Sequence, residues 1–380
     1  MYKFLVIGTW NTKHEELEFL CSEIERQGHV AIRVDMSAQK GSASKHQAIR
    51  EAITKAREFL AQLATEHQIS GSISAGGGTN LFMAIEVMRD IPLFAPKIVM
   101  STMVVNSVHS FRSYKDIIYV QAPCDFGVLN PISKMVLANG VKMLIAIAGS
   151  KPELDKPCIA ITSIGRSGGY VGPARRFWGE QGYQPILFHA IGENTMAMAE
   201  IISSGSIVGV LDLTLKDVLD HVTGGAFGKI GRRRLMAYMS RDIPAVIAPG
   251  SVDAITVVSS DGSGIPRRFK GRHIRRLDFR WSIKATQGDV MRVARWVGSI
   301  LEETKPKNCM FLIPLQGWSS ISEPDTGGFY DAGAIEVFGT TIRNYLPEDR
   351  VHFVDLSIND PEFGTLASQH LLRLMNEAKS

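Results

Sequence analysis

Along the first 150 residues one hydrophobic rhythm repeats. A short run of branched apolar residues is followed by a turn, and then by a stretch in which apolar positions return every three or four residues. Short runs bounded by turn residues read as buried strands, and the longer period reads as helices with one apolar face. The pattern predicts strands over 3–7, 30–34, 71–74 and 97–101, with helices over 13–27, 45–67, 80–89 and 131–148. Alternation of this kind builds a parallel sheet covered by helices on both faces. The polar stretch GSKPELDKP at 149–157 interrupts it. The rhythm then restarts, with strands over 158–162, 184–189, 207–212, 245–248, 310–314 and 350–355 and helices over 173–181 and 195–203. The expected fold class is α/β: two Rossmann-like domains, 1–152 and 153–380, with mainly parallel sheets covered by helices. A chain of 380 residues is long enough for two cores.

Composition adds mainly exclusions. With 45% hydrophobic and 21% charged residues the chain is globular rather than disordered. Lys plus Arg number 42 against 38 Asp plus Glu, too even a balance for the basic footprint of a nucleic-acid binder. The opening MYKFLVIGTWNTKHEEL turns polar too soon for a signal-peptide core, and no apolar run reaches the ~18 residues of a spanning helix. Cys21, Cys124, Cys158 and Cys309 are too far apart to pair as metal ligands. These features give a soluble, cytoplasmic protein without a membrane partner, its cysteines serving as core residues and no protein metal site expected.

In parallel α/β sheets, ligands bind beyond the carboxyl ends of the strands. Four post-strand loops in the first domain carry suitable chemistry. GTWNTKHEEL, from residue 8, offers Gly8 for close backbone approach, hydroxyls from Thr9 and Thr12, the charge of Lys13 and a helix amino terminus. The same segment also reads as a helix capped by Thr12 with Glu15 as its capping-box partner. SISAGGGTNLFMA at 72–84 places Gly76, Gly77 and Gly78 where unusual backbone angles would gather N–H groups around phosphate oxygens, with Thr79 or Asn80 capping the next helix. MSTMVVNS brings Ser101 and Thr102. PCDFGVLNPIS brings Asn130, placed to cap a helix that Pro131 begins. Asp35 ends the second strand, where a ribose-binding acid sits in dinucleotide folds. Neither GxxxxGK[ST] nor GxGxxG follows strand one.

Several of these segments, in order, resemble one family. Gly8-Thr9 with Thr12-Lys13 and Glu16-Leu17, then Asp35, Gly76-Gly77-Gly78-Thr79, KIVMST and DFGVLNPISKMVLANGV resemble the tomato mosaic virus resistance protein-like ATP-binding family. KPCIAITSIGRSGG, FHAIGENTMAMAEIISSGSIVGVLDLTLKDVLDHVTGG, IPAVIAPGSVDAI, FLIPLQGWSSISEPDTGGFYDAGA and VDLSINDPEF continue the likeness across nearly the whole chain. The resemblance implies two Rossmann-like domains, a homodimer, and ATP, with Mg2+ on its phosphates, held by the first domain through its glycine-rich turn and neighbouring loops. Where the family carries Asp-Thr-Lys-Gly in the first loop, this chain has Asn11-Thr12-Lys13-His14.

In the second domain SIGRSGGYVG offers Arg166, Ser167 and Gly168 to a carboxylate or phosphate. GVLDLT puts Asp212 and Thr214 at a strand end, and PGSVDA adds Asp253. Together they suggest a substrate site for an acidic small molecule. The basic segment from Arg267 to Arg280 reads as a solvated or dimer face, as a further contact for such a molecule, or, least well, as a nucleic-acid surface. No arrangement of Ser, His and Asp, no HExxH and no paired carboxylates identify a catalytic group. Three functions stay open: ATP binding, an enzyme acting on an acidic metabolite between the domains, and a regulatory module that ATP stabilises as a dimer.

Overall fold

The computed structural model describes residues 1–38, 44–66, 68–107, 113, 115–153, 155–326 and 328–379. The chain divides into two compact units, 1–153 and 154–380.

The first unit runs β1 (Lys3–Gly8), α1 (His14–Arg26), β2 (Val30–Asp35), α2 (Lys45–Glu66), β3 (Gly71–Gly76), α3 (Gly78–Met88), β4 (Lys97–Ser101), α4 (Val104–Ser107), β5 (Ile117–Gln121) and α5 (Pro131–Ile147). Its five strands pair in parallel in the order β2-β1-β3-β4-β5. The helical period sorts the helices between two faces. Leu17, Leu20 and Ile24 of α1 pack with Leu137, Val141 and Leu144 of α5 on one side, while Ile53 and Leu60 of α2 pack with Leu81 and Ile85 of α3 on the other. Central β3 and β4 are buried throughout, whereas edge strand β5 is half-exposed. The sequence pattern omits β5, although its IIYV is a short β-branched apolar run of the kind that forms strands.

The second unit runs β6 (Cys158–Ser163), α6 (Val171–Glu180), β7 (Gln184–His189), α7 (Gly192–Ser203), β8 (Ile207–Thr214), α8 (Lys216–Thr223), α9 (Arg233–Met239), β9 (Ala245–Gly250), β10 (Ala254–Val258), β11 (Ile274–Arg276), β12 (Arg280–Lys284), α10 (Gln287–Thr304), β13 (Cys309–Pro314), α11 (Ala332–Ile342), β14 (Val351–Val354) and α12 (Pro361–Glu377). Six strands form a parallel sheet, β14-β13-β9-β8-β6-β7. Read in chain order, its strands follow the same sequence of positions as those of the first unit, plus one. Helices α6 and α12 cover one face, and α7 to α11 cover the other. Between β9 and α10 the chain leaves this sheet to make a small antiparallel one, β10-β12-β11. The basic segment lies there, and its arginines mask the strands in the sequence.

Candidate functional site

In the first unit the chain order reverses beside β1: β2 lies on one side of it and β3 on the other. α1 leaves β1 toward one face and α3 leaves β3 toward the opposite face, so the two post-strand loops diverge and open a crevice, the usual ligand position in this topology. A side-chain tie links them. Asn80 Oδ1 accepts the Thr9 N–H (3.1 Å), and Asn80 Nδ2 donates to Ser74 Oγ (2.9 Å). Gly76 makes this tie fit, because a Cβ there would lie 2.7 Å from that of Asn80. Gly77 has no such neighbour: a Cβ on it would meet open space. Its backbone is extended (φ −81°, ψ −171°), it is the N-cap of α3, and no side chain caps that helix. α1 likewise starts without a side-chain cap, at Lys13. Two helix amino termini with unbonded first-turn N–H groups therefore flank the crevice; that of α3 has no acidic residue in its first turn and favours an anion, whereas Glu15 and Glu16 stand in the first turn of α1.

Several expectations are corrected here. Gly76, Gly77 and Gly78 adopt no left-handed angle, so the turn is not a nest of alternating conformations but a plain helix start. Thr12 does not cap α1; its hydroxyl meets that of Thr9 (2.9 Å). Neither Thr79 nor Asn80 caps α3, since both lie inside it. Lys13 Nζ donates to the Phe126 carbonyl (2.8 Å) and pairs with buried Glu16 (3.5 Å). Asp35 Oδ1 accepts from the Trp10 and Ser37 N–H groups and the Ser37 hydroxyl, an arrangement that shapes the first loop. Ser101 is buried beside Gly76 in the β3–β4 register and accepts the Met103 N–H, while the Thr102 carbonyl takes Gln121 Nε2. Asn130 caps α5 as its sequence position suggests, accepting from the Ile132 and Ser133 N–H groups. The structure thus places Gly8, Thr9, Thr12, Gly76, Gly77 and Thr79 around the crevice, while Asp35 Oδ1, the Ser101 hydroxyl and Asn130 Oδ1 bond neighbouring backbone N–H groups.

The corresponding point of the second unit lies between β6 and β8, and its groups are largely consumed by one another. Asn359 Oδ1 accepts from the Gly168 and Gly169 N–H groups (3.1 and 3.2 Å). Ser167 Oγ lies 2.6 Å from Ser251 Oγ and donates to the Trp318 carbonyl. Thr214 Oγ1 lies 2.7 Å from the Tyr170 hydroxyl. Asp212 is fully buried and accepts from Thr162, Tyr238 and both terminal nitrogens of Arg234, whose Nε reaches Asp217 (3.0 Å). Those bonds occupy Asp212, Ser167, Gly168 and Thr214, which correct the expectation of an open substrate site for these four. Nearby, Lys216 and Asp220 form a second fully buried ion pair; burial pulls the lysine down and pushes the aspartate up from their ordinary values. Arg166 gives Nη1 to Ser282 Oγ (2.9 Å), and burial lowers its pKa. Asp253 keeps one carboxylate oxygen unbonded.

Residues 156–375 match the C-terminal domain, and residues 38–153 the N-terminal domain, of the Uncharacterised protein family (UPF0261). The chain belongs to this family. A UPF0261 protein of Clostridium tetani is 29% identical over 99% of both chains. The ToMV resistance protein Tm-1 of Solanum lycopersicum is 25% identical over 86% of this chain, which spans 44% of that longer protein. Among solved structures, Acinetobacter baumannii MurG covers 66% of this chain at 11% identity with a TM-score of 0.22, too low to carry an argument. The UPF0261 N-terminal match contains Gly76, Gly77, Gly78 and Thr79, while the Gly8–Lys13 loop precedes it.

Other features of this UPF0261 chain have structural roles. Four arginines of the basic segment bond within their own unit: Arg268 donates to the Thr223 and Gly224 carbonyls, Arg272 to Asp289, Arg276 to the Ser260 carbonyl and Arg280 to Asp278. Cys21, Cys158 and Cys309 are buried, and burial pushes the Cys21 thiol up to about 11. Among the described residues no cluster of three or more His, Cys, Asp or Glu is arranged to hold a metal, and no helix is long and apolar enough to cross a membrane. Sequence reasoning missed Asn80 as the tie between loops; an asparagine in the first turn after the glycines was its only signal.

Proposed function

We propose that the N-terminal unit binds ATP in the β1/β3 crevice, its phosphates lying against the α3 amino terminus at Gly77, Gly78 and Thr79 and against the Gly8–Lys13 loop. One observation carries this reading: at the reversal of strand order, α3 begins without a side-chain cap and with open space before Gly77. A turn that needed glycine only for packing would show a neighbour there, as Gly76 does. The Thr9, Thr12 and Thr79 hydroxyls suit phosphate oxygens, and Mg2+ would be held chiefly by those phosphates. Resemblance to an ATP-binding family points the same way.

Isothermal titration with ATP and magnesium, with Gly77→Val in parallel, tests it. Valine fits the extended backbone at this position and clashes with nothing, so the variant should fold, losing about 1 kcal/mol or less at the cap. Its side chain fills the phosphate space, so affinity should fall at least about a hundredfold. Unchanged affinity would remove this turn from the site.

A further inference from the structure

The C-terminal unit contains a cavity that nucleotide binding leaves unused. It lies beyond the carboxyl ends of β9 and β13, has a volume of ≈ 20 Å³, and has Asp253, Trp318, Phe329, Tyr330, Asp331 and Ala334 among its walls. Asp253 is only 6% exposed. The Ser319 hydroxyl donates to its Oδ2, but its Oδ1 is buried without a hydrogen-bond partner in the chain. A buried carboxylate oxygen lacking a donor is costly, and it marks where a donor belongs.

The rest of the wall narrows the chemistry of that donor. Trp318 Nε1 donates to the Pro314 carbonyl (3.1 Å) and the Tyr330 hydroxyl to that of Leu315 (3.2 Å), so both rings satisfy their polar atoms on the backbone and offer hydrocarbon and π surface elsewhere. Asp331 adds a second carboxylate; its Oδ1 accepts from the Ala334 N–H and from Gln287 Nε2. No lysine or arginine lines the cavity among the described residues. The cations nearest in charge to Asp253 are turned elsewhere: Arg166 to Ser282, and Lys216 to Asp220 and the Ala254 carbonyl. Lys284 Nζ donates to the carbonyls of Gly328 and Tyr330. An incoming cation with N–H donors would meet two carboxylates and aromatic rings, the combination that recognises amines. A cavity of ≈ 20 Å³ is little more than the roughly 10–15 Å³ that one water-sized group needs, so it suits a head group of one or two heavy atoms.

We propose that this cavity binds a primary ammonium group, which donates to Asp253 Oδ1. The proposal is independent of ATP binding, because it concerns other residues in another unit.

Titration of the full chain with methylammonium chloride tests it, with tetramethylammonium and methanol as comparisons. Methylammonium should bind saturably. Tetramethylammonium, which has no N–H, and methanol, which has no charge, should bind at least about tenfold more weakly. Asp253→Asn should weaken methylammonium by about tenfold or more. Ala334→Leu, which fills the cavity from α11 without touching the carboxylate, should do the same if Asp253→Asn fails to fold. Absence of saturable binding, methanol binding as well as methylammonium, or wild-type affinity in a folded variant would each overturn the assignment and leave Asp253 Oδ1 to a water molecule.

Discussion

The two strand-order reversals occupy the same place in the same topology and have opposite chemistry. Beside β1 and β3 the loops are joined by one asparagine, and the helices that follow start without side-chain caps. Beside β6 and β8 almost every donor already has an acceptor inside the chain: Asn359 takes two loop N–H groups, and Arg234 is enclosed by Asp212 and Asp217. The topology supplies a crevice in both units, but only unsatisfied groups make it a site. In the second unit a buried carboxylate oxygen without a partner lies instead past the end of β9, at Asp253. Position in the fold therefore locates a candidate, and hydrogen-bond accounting decides whether it is one.

The largest test of this contrast is to empty the second unit's network. Arg234→Met removes a fully buried guanidinium and leaves Asp212 and Asp217 buried with their charges uncompensated. Breaking such a cluster from one side costs about 3–5 kcal/mol. Denaturant titration, followed by hydrogen exchange of β8 amides, should show that loss in the second unit while the first keeps its protection. A change under about 1 kcal/mol would mean that water reaches these carboxylates, and the β6/β8 reversal would again be an open site.

A smaller effect is expected where the first unit has only one tie. Asn80→Leu strands the Thr9 N–H and the buried Ser74 hydroxyl. The expected loss is about 1–3 kcal/mol, together with weaker ATP binding because the two loops are no longer held in register. If stability falls and affinity does not, the Gly8–Lys13 loop takes no part in binding.

How much of this could be read from the residues alone depended on the range of the interaction. Strands β3, β4 and β7 and helix α5 follow from local period and turn chemistry, and Asn130 caps α5 where Pro131 predicts. Edge strand β5 carries the apolar run IIYV yet lies outside the pattern read from the sequence, and β11 and β12 look like a solvated run because arginines and a lysine stand among their apolar positions. The candidate ligands are named in the sequence by residue type at strand ends. Type could not show that Asp212 would be surrounded by Thr162, Arg234 and Tyr238, residues up to 50 positions away in sequence. Nor could it show that Gly76 and Gly77 differ, one crowded by Asn80 and the other facing open space.

That last difference gives the smallest and sharpest test. Gly77→Asp installs at α3 the kind of cap that Asn130 gives α5. Aspartate fits the extended N-cap backbone, and its carboxylate would accept a first-turn N–H group and complement the helix dipole, a gain of about half a kcal/mol over glycine. The same carboxylate would occupy the donors proposed for phosphate and repel a triphosphate. The expected result is therefore a slightly higher unfolding midpoint with ATP affinity reduced by at least about a hundredfold. Gly77→Ser, which caps without charge, should fall between Gly77→Asp and the wild type in affinity. If Gly77→Asp gained stability and kept its affinity, the uncapped helix start would be only a weak point in the fold, and the comparison between the two reversals would lose its functional half.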